Sequence, residues 1–391
     1  MTLVGTATPV TGEEHWTNKG ADVRLALWNK RVADKPQTAG TILFVHGSSM
    51  AARPVFDLDV PGRKDSSGMD WFARRGFDVW CVDMEGYGRS TKDRDNNAPI
   101  SQGADDCLAA AKYIQSLRGN KPLLVYGISS GALRAGLFAQ RHPELVARLA
   151  LDATVWTGKG SPTLADRSKK LPEFRSKNRR PIDRAFVHSI FTRDHPGTAD
   201  IAVVDAFADA IVALDSSIPN GTYVDMCANL PVVDPTKIEV PTIVMRGQFD
   251  GIAGFDDLID FFKLLPNPDK QFAVMPGSGT HHSRKRTTSW CSTFCTASSP
   301  SRRQSIAADD QRFTKHQSTS AARPKDAKVQ FNVMFADLMT FRHTSDSRPI
   351  CSANSFGLPP TGTMPIFISR SRTSGFASAA FISRDSTSMI V

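Results

Sequence analysis

Six short apolar runs, each six to eight residues long, constrain the fold of this 391-residue chain more than anything else in it. They are TILFVHG (41–47), FDVWCVDM (77–84), PLLVYG (122–127), ARLALD (147–152), PTIVMRG (241–247) and QFAVMPG (271–277). Each is rich in β-branched or large apolar residues and none alternates strictly, the pattern of strands buried on both faces. Helical periodicity fills the gaps at 70–75, 104–117, 130–141 and 256–265. Strands alternating with helices predict an α/β chain with a mainly parallel, doubly wound sheet. HWTNKG and VRLALWNKRV, near the start, read as two antiparallel edge strands in front of it.

The rhythm breaks between 154 and 240. This stretch opens on the basic, polar KGSPTLADRSKKLPEFRSKNRRP and continues into helical ADIAVVDAFADAIVALD. An insertion of that length between two strands is usually functional. It is expected to cap the strand ends, giving a first core part at 1–153, a cap at 154–240, a second core part at 241–282 and a tail at 283–391.

The formal net charge of +9 suggests a nucleic-acid partner until its location is considered. From Ser283 onward the chain carries 15 Lys and Arg against six Asp and no Glu, a surplus that equals the whole net charge. The preceding body is neutral, so the charge says nothing of what that body binds. The tail is rich in Ser, Thr, Arg and Pro without sustained periodicity and is expected to be poorly ordered. It has little aromatic interleaving, so no nucleic-acid partner is expected. No apolar run reaches the length of a membrane span, and the first residues do not read as a signal peptide. The six scattered cysteines fit a cytoplasmic chain with reduced thiols. Cys291 and Cys295 follow His281 and His282, but their spacing matches no zinc pattern, so neither a metal nor an organic cofactor is expected.

The chemistry is concentrated in VYGISSGALRAG, where Gly127-Ile128-Ser129-Ser130-Gly131 fits G-x-S-x-G directly after a strand and at the head of a helix. A serine on so sharp a turn projects above the sheet, and glycines are needed beside it because nothing larger fits. The helix N-terminus adds N–H donors and a dipole that favour a developing anion. A plain Gly/Ser turn would have the same five residues, but not the strand before and the helix after. LFVHGSS ends another strand in His46-Gly47, where the following N–H of Ser48 can serve as a second oxyanion donor. VDMEGYGRS ends a third strand in a glycine-spaced turn, and VMRGQFDGIAG sets Asp250 just beyond a fourth, on the ligand-binding edge of an open α/β sheet.

With Ser, Asp and His in that chain order, these motifs resemble the α/β-hydrolase superfamily over about residues 13–280. The resemblance implies an α/β-hydrolase fold with a helical cap insertion and an acyl-enzyme formed on Ser129. It implies an oxyanion hole from the N–H groups of Ser48 and Ser130, and Asp250 as the acid that orients the histidine. Asp152, also at a strand end, is the fallback acid, while Asp256 and Asp257 are expected to cap the next helix. A serine at the elbow argues against the haloalkane dehalogenase and epoxide hydrolase branches, which have aspartate there.

The family's histidine follows the last strand as PG-x-x-H, but VMPGSGTHH puts Thr280 at that position and His281 and His282 after it. His281 is therefore the expected base, with His282 as its fallback. An amphipathic helix should follow; instead the chain reads RKRTTSWCSTFCTASSPSRRQS. A frameshift near Ser278 accounts for both departures. Joining each codon's last base to the next two converts Trp290-Cys291 to valine and Phe294-Cys295 to leucine, and it permits histidine from Gly279-Thr280. Part of that match is automatic, since codons beginning with T always become apolar in the shifted frame. The expected function is hydrolysis of an ester or other acyl bond of a small molecule. The rivals are a catalytically impaired or non-catalytic relative and acyl transfer to an alcohol. Substrate identity and oligomeric state are not encoded in any of these motifs.

Overall fold

The computed structural model describes residues 9–33, 36–63 and 66–280. His281, His282 and the tail from 283 onward lie outside the described residues. Eight strands form one sheet: β1 (Val10–Lys19), β2 (Val23–Val32), β3 (Gly40–Val45), β4 (Phe77–Val82), β5 (Leu123–Ile128), β6 (Val146–Asp152), β9 (Thr242–Gly247) and β10 (Lys270–Met275). The short pair β7 (Arg179–Pro181) and β8 (Ser217–Pro219) forms a separate antiparallel ribbon.

The spatial order of the large sheet is β1-β2-β4-β3-β5-β6-β9-β10. β1 with β2 and β2 with β4 run antiparallel, and every later neighbour pair is parallel. The chain leaves β3 for β4 on one side, then crosses back to β5 on the other. The carboxyl ends of β3 and β5 thus flank a topological switch point, the crevice where open α/β sheets bind ligands.

Helices α1 (Ala52–Phe56), α2 (Gly68–Ala73), α3 (Ile100–Arg118) and α4 (Ser130–Arg141) alternate with these strands. Leu43, Val45, Trp80, Val82, Leu123 and Val125 face a core that includes Ala104, Cys107 and Ile114 of α3 and Ala132, Ala135 and Phe138 of α4. The intervening residues Ile42, Phe44, Val79, Cys81, Leu124 and Tyr126 face the other core, with Phe56 of α1 and Phe72 of α2. Both faces of the central strands are therefore buried, which is why their sequences are apolar throughout rather than alternating. Truncating a side chain such as Phe138 in this core costs about 3–5 kcal/mol.

Between β6 and β9 the chain forms α5 (Pro162–Ser168), α6 (Leu171–Ser176), β7, α7 (Arg184–Thr192), α8 (Ile201–Val212), β8 and α9 (Gly221–Ala228). Three of these helices begin on a capping side chain: Ser161, Asp183 and Asp200 accept the N–H of Leu164, Phe186 and Ala202. The insertion is tied down by charge. Both Asp215 oxygens accept the Gly88 N–H, at 3.1 and 2.9 Å, and Asp225 accepts the first N–H of α3 at 2.7 Å. Helix α10 (Phe255–Leu264) then precedes β10, with Gly254 at its cap position. Asp257 does not cap it: the carboxylate is buried and reaches back to accept the N–H groups of Trp156, Thr157 and Gly158. No helix among the described residues is long and apolar enough to cross a membrane.

Candidate active site

Ser129 stands between β5 and α4 with φ 56° and ψ −127°, a backbone conformation that side chains other than glycine rarely adopt. The turn is pinned on two sides, since the Ser129 N–H donates to the Asp152 carbonyl at 2.8 Å and the Ser129 carbonyl accepts from Ala132 at 2.9 Å. The two motif glycines are required by space. A Cβ at Gly127 would lie 2.3 Å from the Gly131 carbonyl oxygen, and one at Gly131 would lie 2.4 Å from the carbonyl oxygens of Val45 and His46. Helix α4 consequently packs tightly on the end of β3, and a Cβ on Gly47 would stand 3.9 Å from Ser129 Oγ.

The loop after β3 is held by a buried histidine. His46 Nε2 accepts the Met84 N–H at 3.0 Å, which leaves the proton on Nδ1 to be donated to the Gly47 carbonyl at 2.7 Å. Burial, and then the charge of Arg134, push its pKa down to about 3, so the ring is neutral. The following Ser48 N–H donates to no acceptor among the described residues. Ser130 opens α4, where the first N–H groups have no acceptor within the helix. Two candidate oxyanion donors thus lie on adjoining segments, one at the end of β3 and one at the head of α4.

Asp250 follows β9 in a loop laced to the segment after β10. Gln248 donates its N–H to Met275 at 2.9 Å and Phe249 to Ser278 at 2.7 Å, while Gly277 donates to the Gln248 side chain at 2.6 Å. A Cβ at Gly247 would lie 2.2 Å from the Gly279 carbonyl oxygen, so this contact also needs glycine. Asp250 Oδ1 accepts the N–H groups of Ile252 and Ala253 at 3.0 and 3.2 Å and the Thr280 hydroxyl at 2.7 Å. Oδ2 is buried with no partner among the described residues. Burial raises the pKa of this carboxyl, and the nearby charge of Asp194 adds to the rise.

Asp152, the fallback acid, is fully buried and its Oδ2 accepts the Tyr126 hydroxyl at 2.5 Å, on the side of the sheet occupied by Phe44 and Phe56. The sequence reading missed Asp194, whose Oδ2 accepts both the N–H and the hydroxyl of Thr280, at 3.3 and 2.7 Å. It also missed Arg180, whose guanidinium donates to the Ser48 carbonyl at 3.3 Å. The only sequence signal for Arg180 was the basic opening of the insertion; Asp194 had none. Among the described residues, no group of three His, Cys, Asp or Glu side chains is arranged to hold a metal ion.

No curated protein matches the chain significantly. Among solved structures, 2-hydroxy-6-oxo-6-phenylhexa-2,4-dienoate hydrolase from Rhodococcus sp. strain RHA1 is similar at TM-score 0.53 and 17% identity, covering 74% of this chain and 98% of its own. A thermophilic esterase from Thermogutta terrifontis is similar at TM-score 0.51 and 17% identity, covering 76% and 98%. At these identities the likeness shows the fold, the α/β-hydrolase fold. The family model for serine aminopeptidase, S33, matches residues 60–282, which span β4 to β10 and include Ser129 and Asp250. The chain is an α/β-fold hydrolase and belongs to the serine aminopeptidase S33 family.

Proposed function

We propose that this hydrolase cleaves an ester or other acyl bond of a small molecule through an acyl-enzyme on Ser129. The observation that carries this reading is the strained conformation of Ser129, at the head of α4 and close against Gly47 at the end of β3. Strain of this kind costs about 1–3 kcal/mol and persists where surrounding structure enforces it. Ser129 Oγ attacks the carbonyl carbon as His281, or failing that His282, takes its proton. The oxyanion accepts hydrogen bonds from the Ser48 and Ser130 N–H groups, each worth about 2.7–4 kcal/mol in the transition state. The histidine returns the proton to the leaving group, then takes one from the water that hydrolyses the acyl-enzyme. Asp250 orients the histidine, with its unpartnered Oδ2 as the acceptor for an imidazole N–H. Residues 154–240 act as the cap that selects the substrate. The free thiols of Cys81, Cys107 and Cys227 support a reducing, cytoplasmic setting.

A second reading, an impaired hydrolase, is favoured by one observation: the side chain on Asp250 Oδ1 is the hydroxyl of Thr280, where the family has its histidine. A fluorophosphonate probe separates the two, because it reacts with a serine only when a base activates it. The first reading expects a Ser129 adduct by mass spectrometry, absent in Ser129→Ala and lost in the double variant His281→Ala, His282→Ala. An unlabelled wild-type chain would establish the second.

A further inference from the structure

Two arginines of the insertion are buried without an ion pair among the described residues. Arg167 on α5 is only 9% exposed, and its guanidinium lies 3.8 Å from the centre of the Tyr223 ring on α9. Its Nη1 is buried without a hydrogen-bond partner, and it forms no ion pair among the described residues. Arg180 on β7 lies 3.5 Å from the same ring and is equally buried. Its Nη1 donates to the Pro219 carbonyl and to Asn220 Oδ1, at 2.7 and 3.0 Å, and its Nη2 to the Ser48 carbonyl; its Nε has no partner. Among the described residues it too pairs with no carboxylate.

Arg134 and Arg246 are also buried without an ion pair among the described residues and donate to the His46 and Asp250 carbonyls, whereas the partly buried cations Lys30, Lys19 and Arg118 are paired. Lys30 sits on Asp57 and Asp70, Lys19 on Glu85 and Asp106, and Arg118 on Asp78. A buried cation without a counter-charge is costly unless something supplies one. Tyr223 supplies it in part. Burial alone would raise its pKa, but the fields of Arg167, Arg180 and Arg193 outweigh that and bring the phenol down to about 7. One phenol titrating near neutrality leaves two guanidiniums under-compensated.

The cluster spans the loops that carry the candidate catalytic groups. Arg180 holds the Ser48 carbonyl, and the Tyr223 hydroxyl lies 3.2 Å from Ser49 Oγ. Arg193 pairs with Asp194 at 3.4 Å, and Asp194 in turn holds Thr280. Helices α5 and α9 also line a cavity of about 590 Å³ with Leu164, Ser168, Met226 and Cys227 in its wall, so that the chain neighbours of Arg167 and Tyr223 border it rather than Arg167 and Arg180 themselves. That volume is within the usual range for small-molecule sites.

We infer that Arg167 and Arg180 form a subsite for a carboxylate carried by the substrate, so that the preferred substrate is a monoester of a short dicarboxylic acid. The ester half of this statement rests on the function proposed above; the carboxylate half does not. A guanidinium presents its N–H donors in a planar fork that matches a carboxylate, and the unpartnered Nη1 of Arg167 and Nε of Arg180 are the donors left for it.

The test compares p-nitrophenyl hemiglutarate with p-nitrophenyl butyrate in the wild type, Arg167→Met and Arg167→Lys. The wild type is expected to favour the acidic ester at least tenfold in kcat/KM, mainly through KM, and added salt should narrow the gap. Arg167→Met should lower the acidic-to-neutral ratio at least tenfold. Arg167→Lys retains charge but not the fork and should lower it at least threefold, which decides the matter if the methionine variant does not fold. An unchanged ratio in the folded variants, or no wild-type preference, overturns the inference. Calorimetry on Ser129→Ala with monomethyl glutarate gives a readout that needs no turnover. Saturable binding lost with Arg167→Met supports the subsite even if neither ester is cleaved, which would instead count against the acyl-enzyme. No binding overturns the subsite whatever the enzyme hydrolyses.

Discussion

The hydroxyl of Thr280 lies 2.7 Å from Oδ1 of Asp250 and 2.7 Å from Oδ2 of Asp194. The hydroxyl has one proton to donate, and two buried carboxyls compete for it. Position 280 is thus where a side chain already reaches the proposed catalytic acid, and the shifted-frame reading permits histidine there. Thr280→His is expected to raise the rate of fluorophosphonate labelling of Ser129 at least tenfold. A well-placed general base contributes about 10²–10⁴-fold, so this is the low end of the possible gain. A rate equal to or below that of the wild type would show that the base does not work from position 280.

His46 is expected to be a neutral imidazole with its proton on Nδ1 throughout the physiological range. Nitrogen-detected NMR of the ring should show that single tautomer and no titration between pH 5 and 8. With its pKa depressed to about 3, against about 6.5 in an unfolded chain, the unfolded state binds more protons between those values. The stability that His46 contributes is therefore complete above pH 6.5 and is lost as the pH falls below it. The difference in unfolding free energy between wild type and His46→Gln should grow from pH 4 to pH 7. A difference that stays flat would mean that the ring is not held neutral.

Much of this fold is legible because burial on both faces leaves a mark in each strand taken alone. The run at 77–84 becomes β4, and the helix read at 130–141 has the bounds of α4. The strand–turn–helix context of Ser129 is legible for the same reason, as a local feature fixed by glycine spacing. What stayed hidden depends on partners far away in the chain. Asp257 reads as a helix cap by position, yet its carboxylate binds N–H groups about 100 residues earlier. Arg167 and Arg180 lie in a stretch that reads only as basic and polar, and only folding reveals that both are buried against Tyr223. Periodicity says which face is buried, not which partner it meets. Within the insertion the helical run at 199–215 becomes α8, but the three-residue strands β7 and β8 are too short to show any period at all.

The strain at Ser129 predicts a stability gain on removing the side chain that causes it. Ser129→Gly should relieve about 1–3 kcal/mol of backbone strain, offset by about 0.5–1 kcal/mol for the added freedom of glycine in the unfolded chain. A net stabilisation of about 1 kcal/mol is therefore expected in urea unfolding, with hydrolysis abolished. Ser129→Ala should abolish hydrolysis equally but retain the strain and gain no such stability. Equal stabilities for the glycine and alanine variants would remove the strain argument.

Asp83 should give the opposite pH dependence to His46. Its carboxylate accepts the N–H groups of Ala52 at 2.7 Å and Arg89 at 3.0 Å, fully enclosed at the turn after β4. Burial outweighs those bonds, the charge of Asp215 adds to it, and the pKa is pushed up to about 6. The unfolded value is near 3.9, so between the two the folded state binds more protons than the unfolded one. Stability contributed by this group is therefore greatest below about pH 4 and declines as the pH rises through 6. The advantage of the wild type over Asp83→Asn should accordingly shrink by about 2 kcal/mol between pH 4 and pH 7, measured by urea unfolding at each pH. Over the same interval the advantage over His46→Gln should grow. If both differences moved in the same direction, one of the two burial arguments, at the end of β3 or at the end of β4, would be wrong.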